Sequence, residues 1–440
     1  MIMVKILVDK ENLTKAVRRA VTAVNGASSK GAEKINFSVR ENKQGVLKLG
    51  ICANGGFFAN FLMDCEAVGP QGEISVNLDK EILRVVNALA PLGDEIELGF
   101  EDTKVRVSCG QGTAYVNYIA DDGKAPEIPN MVPLGNITLK IADLKKGIAS
   151  VMHAVSAHIK GKEYGWNSCV GICPVTSDDV AQLLFVGCSS AVIASSSMDV
   201  TKSNIQGEMP ALSVPSDNLN TVVSSLDGEF VALNIMGRKT DNIAEASKPV
   251  AICLMDGEGA SYIISLLQQA YPAEIAGKIE EYCTGAGFKA KAKKSDLLNA
   301  IRVANIQKTE SSKSRLGVGL SVDDGKLRLD SYNGENHVSL DCGMQGNTER
   351  IILAPYFLEK AIGVCGDDVI IITNSTSGMG KKNPRIVVLA GKECQTLIMP
   401  IDTAVVEKSQ KEAVAAAKKA DKAKKQEEED LESSEGTDEE

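Results

Sequence analysis

The sequence predicts an α+β protein made of three similar domains, and three features support that fold class. First, strand-like residues run directly into a short amphipathic helix at 8–23, 139–155 and 288–303. Second, each helix carries a Leu followed four residues later by Val or Ile, so that both side chains lie on one face. Third, the repeat distance of roughly 130 to 150 residues fits whole domains, whereas solenoid repeats span about 20 to 50 residues. The anchor pairs are Leu13/Val17, Leu144/Ile148 and Leu297/Ile301.

Each domain contains this strand and helix unit twice. The second copy begins with the apolar runs at 74–76, 212–214 and 351–353, and a further short helix follows each run. Period-2 strands follow these helices, and a Gly-Asp or Gly-Glu pair, which favours a turn, precedes each strand. The chain is therefore predicted to hold six units of strand, helix and antiparallel strands. The helices of the second copies carry the apolar pairs Ile82/Val86, Leu219/Val223 and Leu358/Ile362.

The composition predicts a cytoplasmic protein with several hydrophobic cores. The 440 residues are 44% hydrophobic and carry a net charge of −10. No run reaches the about 18 apolar residues that a membrane span needs, and the start, Met-Ile-Met-Val-Lys, lacks the layout of a signal peptide. The 11 Cys residues show no Cys-x-x-Cys spacing. We therefore expect reduced thiols, most of them in the core, with neither disulfides nor zinc.

Residues 404–440 differ from the rest because they offer no apolar face to bury. They contain 12 acidic and 7 basic residues and so hold half of the net charge of −10. We expect a disordered, solvated tail rich in Lys and Glu, helical at most transiently. Two functional alternatives remain open, namely an acidic lure for a basic partner and a brush that repels DNA.

No motif indicates catalysis, a metal site or a cofactor. The 3 His residues lack zinc-type spacing. Residues 378–382 faintly resemble a phosphate loop, but Lys382 stands where such a loop needs Ser or Thr, so we interpret the segment as a hairpin loop. An enzyme with a Cys- or His-based nucleophile remains an open alternative, because its catalytic residues need only meet in space.

Basic side chains recur on the outward faces of the predicted helices. In the first helix the apolar residues face one side, which places the basic residues of that helix together on the other. Equivalent helices carry further basic residues in a net-acidic chain. Such a surface would meet the charge of duplex DNA, roughly one charge per 1.7 Å of helix axis. The candidate DNA-binding residues are Lys15, Arg18, Arg19, Lys80, Arg84, Lys145, Lys146, His153, Arg302 and Lys360.

Over residues 3–402 the motifs and their order resemble the bacterial DNA polymerase III β subunit, the sliding clamp, including viral versions of it. The most specific motif is the closing strand Thr-Leu-Ile-Met-Pro-Ile at 396–401, and further segments lie at 315–320, 353–362 and 372–375. The Pro-rich junction at 125–129 is similar to the linker that follows the first domain of that family. On this resemblance the domains are placed at 1–127, 128–272 and 273–403, with the tail at 404–440.

The resemblance implies a DNA clamp fold and a role in replication. Two protomers would close head to tail into a ring of six domains, with helices around a hole for duplex DNA and antiparallel sheets outside. Phosphate contacts would be independent of sequence and would let the ring slide, so that a tethered polymerase becomes processive. The implied partners are double-stranded DNA, a second copy of the chain, a DNA polymerase and a clamp loader. Neither a cofactor nor a membrane is implied.

The resemblance also implies a groove between the middle and last domains, into which partners insert a short peptide with apolar anchors. The chain departs from the family there, because residues 188–193 (Cys-Ser-Ser-Ala-Val-Ile) replace a Thr-Asp-Gly segment followed by a basic residue and Leu. A more apolar groove is therefore implied. A nucleic-acid-binding scaffold of similar domains that never forms a ring remains the alternative function. The candidate groove residues are Cys188, Ser190, Ala191, Val192, Ile193, Pro215, Leu219, Tyr356, Phe357, Thr376, Leu397, Met399, Pro400 and Ile401.

Overall fold

The structure, a computed structural model, divides the chain into two compact units, one up to residue 276 and one from residue 277 onward. The residues that it describes are 4–25, 34–69, 72–127, 130–159, 164–177, 180–200, 202–205, 209–272, 274–284, 286–305, 317–332, 334–374, 387–391 and 394–401. The predicted tail at 404–440 and the hairpin loop at 378–382 lie outside these ranges.

The first unit alternates short helices with groups of strands. Its helices are α1 (Lys10–Asn25), α2 (Glu81–Leu89), α3 (Ile141–Met152), α4 (Ser216–Ser225) and the short α5 (Ile243–Ala246). Its strands are β1 (Val4–Asp9), β2 (Ile35–Glu41), β3 (Leu47–Asn54), β4 (Phe58–Asp64), β5 (Glu66–Ala67), β6 (Ile74–Leu78), β7 (Glu95–Phe100), β8 (Lys104–Cys109), β9 (Gly112–Asn117), β10 (Met131–Lys140), β11 (Cys169–Ser177), β12 (Val180–Cys188), β13 (Val192–Asp199), β14 (Lys202–Ile205), β15 (Leu212–Pro215), β16 (Phe230–Arg238), β17 (Pro249–Asp256) and β18 (Ala260–Ser265).

The second unit repeats the pattern on a smaller scale. The helix α6 (Glu274–Thr284) contains the boundary between the units, and α7 (Lys294–Ala304) and α8 (Pro355–Val364) follow. The strands are β19 (Ala286–Lys293), β20 (Val318–Asp323), β21 (Lys326–Ser331), β22 (His337–Leu340), β23 (Gly343–Gly346), β24 (Ile351–Leu353), β25 (Asp368–Asn374), β26 (Val387–Ala390) and β27 (Cys394–Ile398).

Six of the helices, α1 to α4, α7 and α8, form where the apolar spacing predicts them, whereas the sequence analysis did not predict α5 and α6. All six apolar pairs of the sequence pattern lie on helices and are between 0 and 3% exposed. At the start of α1, the carboxylate of Asp9 accepts a hydrogen bond from the backbone N–H of Asn12 at 2.9 Å, which satisfies one of the free amides of the first turn. Each fully buried Leu, Ile or Val side chain stabilises the fold by roughly 1.5–3 kcal/mol, so burial of the apolar face stabilises these short helices.

Two sheets and a further group of strands organise the first unit. One sheet has five strands in the order β5-β1-β7-β8-β9, and another has nine in the order β14-β10-β16-β17-β18-β4-β3-β2-β6. Strands β15, β11, β12 and β13 pair in that order. The nine-stranded sheet is continuous because β18 pairs antiparallel with β4, with Ala260 opposite Phe61. This pairing explains why residues on both sides of the predicted boundary at 127 form one compact unit; the three-domain division stays a prediction.

The second unit contains two antiparallel groups of strands. One runs β27-β26-β25-β19-β23, and the other is a four-stranded sheet in the order β22-β21-β20-β24. In β19, Phe288, Ala290 and Ala292 are buried while the lysines between them are exposed. This period-2 alternation is typical of a strand with one face on the core and the other in water.

Pairs of helices recur against the strands in both units. In the first unit α1 packs beside α2 and on β3 and β4, and α3 packs beside α4 and on β12 and β13. In the second unit α7 packs beside α8 and on β21 and β22. The same arrangement therefore occurs three times along the chain, and the predicted α+β clamp fold class is confirmed.

Candidate nucleic-acid interface and partner surface

The basic residues of α1 occupy three different environments. Arg18 is exposed and lies on the solvent side of the helix, as the sequence pattern predicts. The side chain of Lys15 is 52% exposed, whereas that of Arg19 is only 12% exposed. Arg19 is therefore largely enclosed by the protein, although the pattern assigned it to the solvent side with the other two.

Two carboxylates enclose Arg19. Its Nη2 lies 2.7 Å from Oδ2 of Asp227, and its Nη1 lies 3.9 Å from Oδ2 of Asp256. Lys15 also reaches Oδ2 of Asp227, at 3.5 Å. Burial raises the pKa of the Asp256 carboxyl, while the backbone amides of Ala260, Asp227 and Glu258 and the charge of Arg19 oppose that rise. The cations of α1 are therefore partly neutralised within the chain itself.

The loop after α4 also binds a cation of α3. The ammonium group of Lys145 donates a hydrogen bond to the carbonyl oxygen of Leu226 at 2.9 Å, and Lys145 is half-buried. Leu226 immediately precedes Asp227. One short loop therefore holds basic side chains from both α1 and α3, a proximity that no local sequence pattern indicates.

The other basic candidates of the first unit lie on or beside helices. Lys80 and Arg84 are exposed, the first immediately before α2 and the second within it. Lys146 is exposed on α3, and His153 follows the end of that helix and is half-buried. Their contact with DNA stays a prediction.

Two of the candidate DNA-binding cations lie in the second unit, and both are exposed. Arg302 lies on α7, where its Nη1 donates a hydrogen bond to Oδ1 of Asn299 at 3.4 Å. Lys360 lies on α8, and its ammonium group is 5.9 Å from the centre of the Tyr356 ring, close enough for a cation–π contact. Both are placed on helices as the sequence pattern predicts.

In the first unit, the groove candidates within 188–193 lie at the end of β12, in the turn that follows, and at the start of β13. The backbone N–H of Ser189 donates to the carbonyl of Val192 at 2.9 Å and closes that turn. Cys188 and Val192 are buried, Ser190 is exposed, and Ala191 and Ile193 are half-buried. Pro215 and Leu219 are also buried in this unit. Of these candidates, only Ser190, Ala191 and Ile193 are therefore accessible from the solvent.

Trp166 belongs to a packed aromatic cluster that the motif comparison did not include. Its ring meets the ring of Tyr271 edge to face, with the centroids 6.0 Å apart, and it packs against a cluster that includes Cys173 and Val186. Burial, and secondarily the neighbouring Cys188, raises the pKa of the Tyr271 hydroxyl. The one sequence feature that sets Trp166 apart is that it is the single Trp of the chain.

In the second unit, the groove candidates lie at the start of α8 and after β27. Tyr356 is 59% exposed and Phe357 is half-buried, with their rings edge to face at 5.5 Å. Leu397 is buried in β27. Met399, Pro400 and Ile401 follow that strand and are half-buried, and the N–H of Ile401 donates to the carbonyl of Ile352 at 2.8 Å. Thr376 lies outside the described residues.

In the first unit, Gly187 near the end of β12 allows that strand to approach α3 closely. A methyl group at this position would collide with the backbone oxygen of Val151 and lie 3.1 Å from Cγ2 of Val155. We expect Gly187→Ala to destabilise the protein by about 1–3 kcal/mol, the usual cost of overpacking. Thermal unfolding monitored by circular dichroism should show a lower midpoint, by roughly 2–4 °C per kcal/mol.

The matched control for this substitution is Gly257→Ala. A methyl group at Gly257 would have no heavy atom within 4 Å. Its midpoint should therefore remain near that of the unsubstituted protein. Equal midpoints for both variants would contradict the close approach of β12 and α3.

Two of the buried thiols lack the lowered pKa of an activated nucleophile. Burial raises the pKa of Cys169 to about 12 and that of Cys173 to about 11, whereas an activated thiol has a lowered pKa. In the part of the chain that the structure describes, no cluster of three or more His, Cys, Asp or Glu is arranged to hold a metal ion. Nor does any helix there have the length and apolar character to cross a membrane.

Solved structures of replication clamps are similar to this chain over nearly their whole length. A DNA polymerase III β subunit of Eubacterium rectale gives a TM-score of 0.71 at 18% identity, covering 91% of this chain and 99% of that one. The β subunit of Thermotoga maritima gives 0.70 at 13% identity, with coverages of 90% and 99%. The chain has the fold of the DNA polymerase III β subunit. A sliding clamp of Bartonella birtlesii bound to griselimycin gives 0.67 at 15% identity, with coverages of 90% and 99%.

These comparisons confirm the resemblance to the sliding clamp at the level of the fold. The sequence matches no protein-family model and no curated protein. The chain shares its fold with the clamps named above although its sequence is only 13% to 18% identical to theirs.

Proposed function

We propose that this chain is a DNA sliding clamp, which encircles duplex DNA as a homodimer in the cytoplasm and tethers a replicative polymerase. The observation that carries the proposal is the clamp fold, which extends over 91% of this chain and 99% of the Eubacterium rectale protein. A match that includes nearly the whole of both chains supports a similar assembly more strongly than a single shared domain would. The three predicted domains at 1–127, 128–272 and 273–403 would each contribute to the ring.

The charges support a sequence-independent contact with DNA. The chain carries a net charge of −10, yet exposed cations such as Arg18, Arg84, Arg302 and Lys360 lie on helices. A duplex is attracted to local positive charge and repelled by the acidic remainder, and contacts to phosphates carry no information about base sequence. Binding of this kind suits a ring that slides, and it requires no catalytic group or cofactor.

The partner surface would bind short apolar peptide segments of a polymerase and a clamp loader. Half-buried or exposed candidates of the second unit, namely Tyr356, Phe357 and Met399, would provide apolar contacts, and aromatic residues are frequent hot spots in such surfaces. The sliding clamp of Bartonella birtlesii binds griselimycin. We propose that the present chain binds griselimycin at the equivalent surface.

A topological test separates a clamp from an ordinary DNA-binding protein. The full-length protein is incubated with linear duplex DNA, whose free ends let a ring thread on, and ligation then closes the DNA into a circle. We expect the protein to remain on the circle at a salt concentration that removes non-topological binders, and to leave when a restriction enzyme cuts the circle. Retention is measured by gel filtration of the DNA fraction.

The control adds the protein after the circle has been closed, when a closed ring has no end to thread. Little protein should then remain at high salt. Loss of protein from the circle in both orders of addition would contradict the clamp proposal. If gel filtration of the protein alone also gave the mass of a monomer, near 46.7 kDa rather than twice that value, the two results would favour the scaffold that never forms a ring.

A further inference from the structure

The carboxylate of Asp227 binds two of the three cations that the sequence assigns to the DNA-facing stripe of α1. Its Oδ2 atom lies 2.7 Å from Nη2 of Arg19 and 3.5 Å from Nζ of Lys15. Both contacts converge on one oxygen of one residue. Asp227 belongs to the loop between α4 and β16, far from α1 in sequence.

The two ion pairs differ in their access to a competing anion. The Arg19 side chain is 12% exposed and lies between Asp227 and the fully enclosed carboxylate of Asp256. Lys15 is 52% exposed and Asp227 is 41% exposed. A cavity of about 290 Å³ is lined by Lys15, Arg19 and Asp227, and also by the acidic residues Asp9, Asp64 and Glu258. Lys15 is therefore more accessible to a phosphate oxygen from water than Arg19 is.

The local charge follows from these contacts. Lys15 and Arg19 supply two positive charges, and Asp227 and Asp256 supply two negative ones. Arg18 is the remaining basic residue of the stripe; it is exposed, and no described acidic residue lies within ion-pair distance of it. The fourth basic residue of α1, Lys10, lies 2.9 Å from Oδ1 of Asp94. The helix thus presents to DNA little more than the charge of Arg18.

We propose that Asp227 limits the number of cations that α1 offers to DNA, by holding Lys15 and Arg19 in ion pairs within the protein. This inference rests on the proposed sliding-clamp function, in which α1 faces the duplex. A phosphate can engage Lys15 only by displacing Asp227, so each contact forms at the expense of an existing one. Weak exchangeable contacts of this kind let the ring move along DNA, whereas a full set of free cations would hold it in place.

The test replaces Asp227 with Asn, which keeps the size and an oxygen acceptor for Arg19 but removes the charge. Affinity of the full-length protein for a short linear duplex is measured by fluorescence anisotropy between about 50 and 200 mM salt. Each additional phosphate contact steepens the plot of log affinity against log salt by about 0.9. We expect the Asp227→Asn plot to be steeper than that of the unsubstituted protein by about one to two.

The matched control is Asp122→Asn. Asp122 lies 2.9 Å from Lys124 in an exposed ion pair outside the helices, so the substitution removes the same charge and also releases a lysine. The slope should stay that of the unsubstituted protein. A slope for Asp122→Asn equal to that for Asp227→Asn would overturn the proposal, because net charge alone would then account for the effect.

A second variant keeps the proposal testable if Asp227→Asn alters the loop. Lys15→Gln alone should leave the slope nearly unchanged, because Asp227 already neutralises Lys15. In the Asp227→Asn background, the same substitution should reduce the slope by about one. An equal reduction in both backgrounds, or an unchanged slope for Asp227→Asn, would overturn the inference. Loss of protein from ligated circles would instead contradict the clamp proposal itself.

Discussion

Replacing Met399 with Glu should weaken binding of griselimycin by at least about 30-fold, which corresponds to the about 2 kcal/mol of a hot-spot residue. Met399 is half-buried just after β27, beside the aliphatic segment that ends at Ile401. A carboxylate at this position would have to lose water when an apolar ligand covers it, and the candidate groove residues include no Lys, Arg or His to compensate its charge. Isothermal titration calorimetry with the full-length protein measures the change.

The matched control for this substitution is Met255→Glu. Met255 lies in β17 and is 48% exposed, so the same charge is introduced at a methionine that belongs to no candidate surface. Its affinity for griselimycin should equal that of the unsubstituted protein. Equal weakening by both substitutions would contradict the assignment of Met399 to the partner surface, and absence of binding to the unsubstituted protein would contradict griselimycin as a ligand.

Replacing Asp330 with Ala should destabilise the second unit by about 3 kcal/mol. The Asp330 side chain is 6% exposed, and its two oxygens lie 3.0 Å from Nε of Arg350 and 3.6 Å from Nε of Arg328. Arg350 also donates hydrogen bonds to the carbonyls of Ser331 and Tyr332. Without the carboxylate, two guanidinium groups would lie close together with no buried counter-charge. The free energy of unfolding is obtained from urea titration monitored by circular dichroism.

Asp341→Ala removes the same carboxylate from an exposed ion pair of the same four-stranded sheet region. Asp341 is 83% exposed and lies 3.1 Å from Lys326, and exposed pairs of this kind are worth less than about 1 kcal/mol. The urea midpoint should therefore shift much less than for Asp330→Ala. Similar shifts of the urea midpoint for the two variants would show that burial of Asp330 does not increase the contribution of its ion pairs to stability.

The helices could be predicted from the sequence because their apolar faces are a local property. Leu13 and Val17 lie one turn apart, and a helix that forms there must bury both, whatever it packs against. The solvent face follows from the same geometry, which is why Arg18 and Arg84 are exposed as predicted. The clamp fold was accessible from the order of its motifs, even at an identity of 13% to 18% with the solved structures.

The tertiary contacts of individual side chains could not be predicted from spacing within one element. Arg19 pairs with Asp227, which lies 208 residues further along the chain, and Lys145 donates to Leu226 at a separation of 81 residues. Trp166 packs on Tyr271 although the two are more than a hundred residues apart. Such partners come together only when separate elements pack, so a helix pattern places Arg19 on a face but does not reveal the carboxylates opposite that face.

The sequence by itself determined the positions of the six helices that carry apolar pairs, the burial of those pairs, and the motif order that resembles a sliding clamp. Those features depend on spacing within one element, and spacing is written in the chain. Only the tertiary structure decided that β18 pairs with β4 and that one loop neutralises cations of α1. Both depend on contacts between elements distant in sequence, whose distances and burial arise when the chain folds.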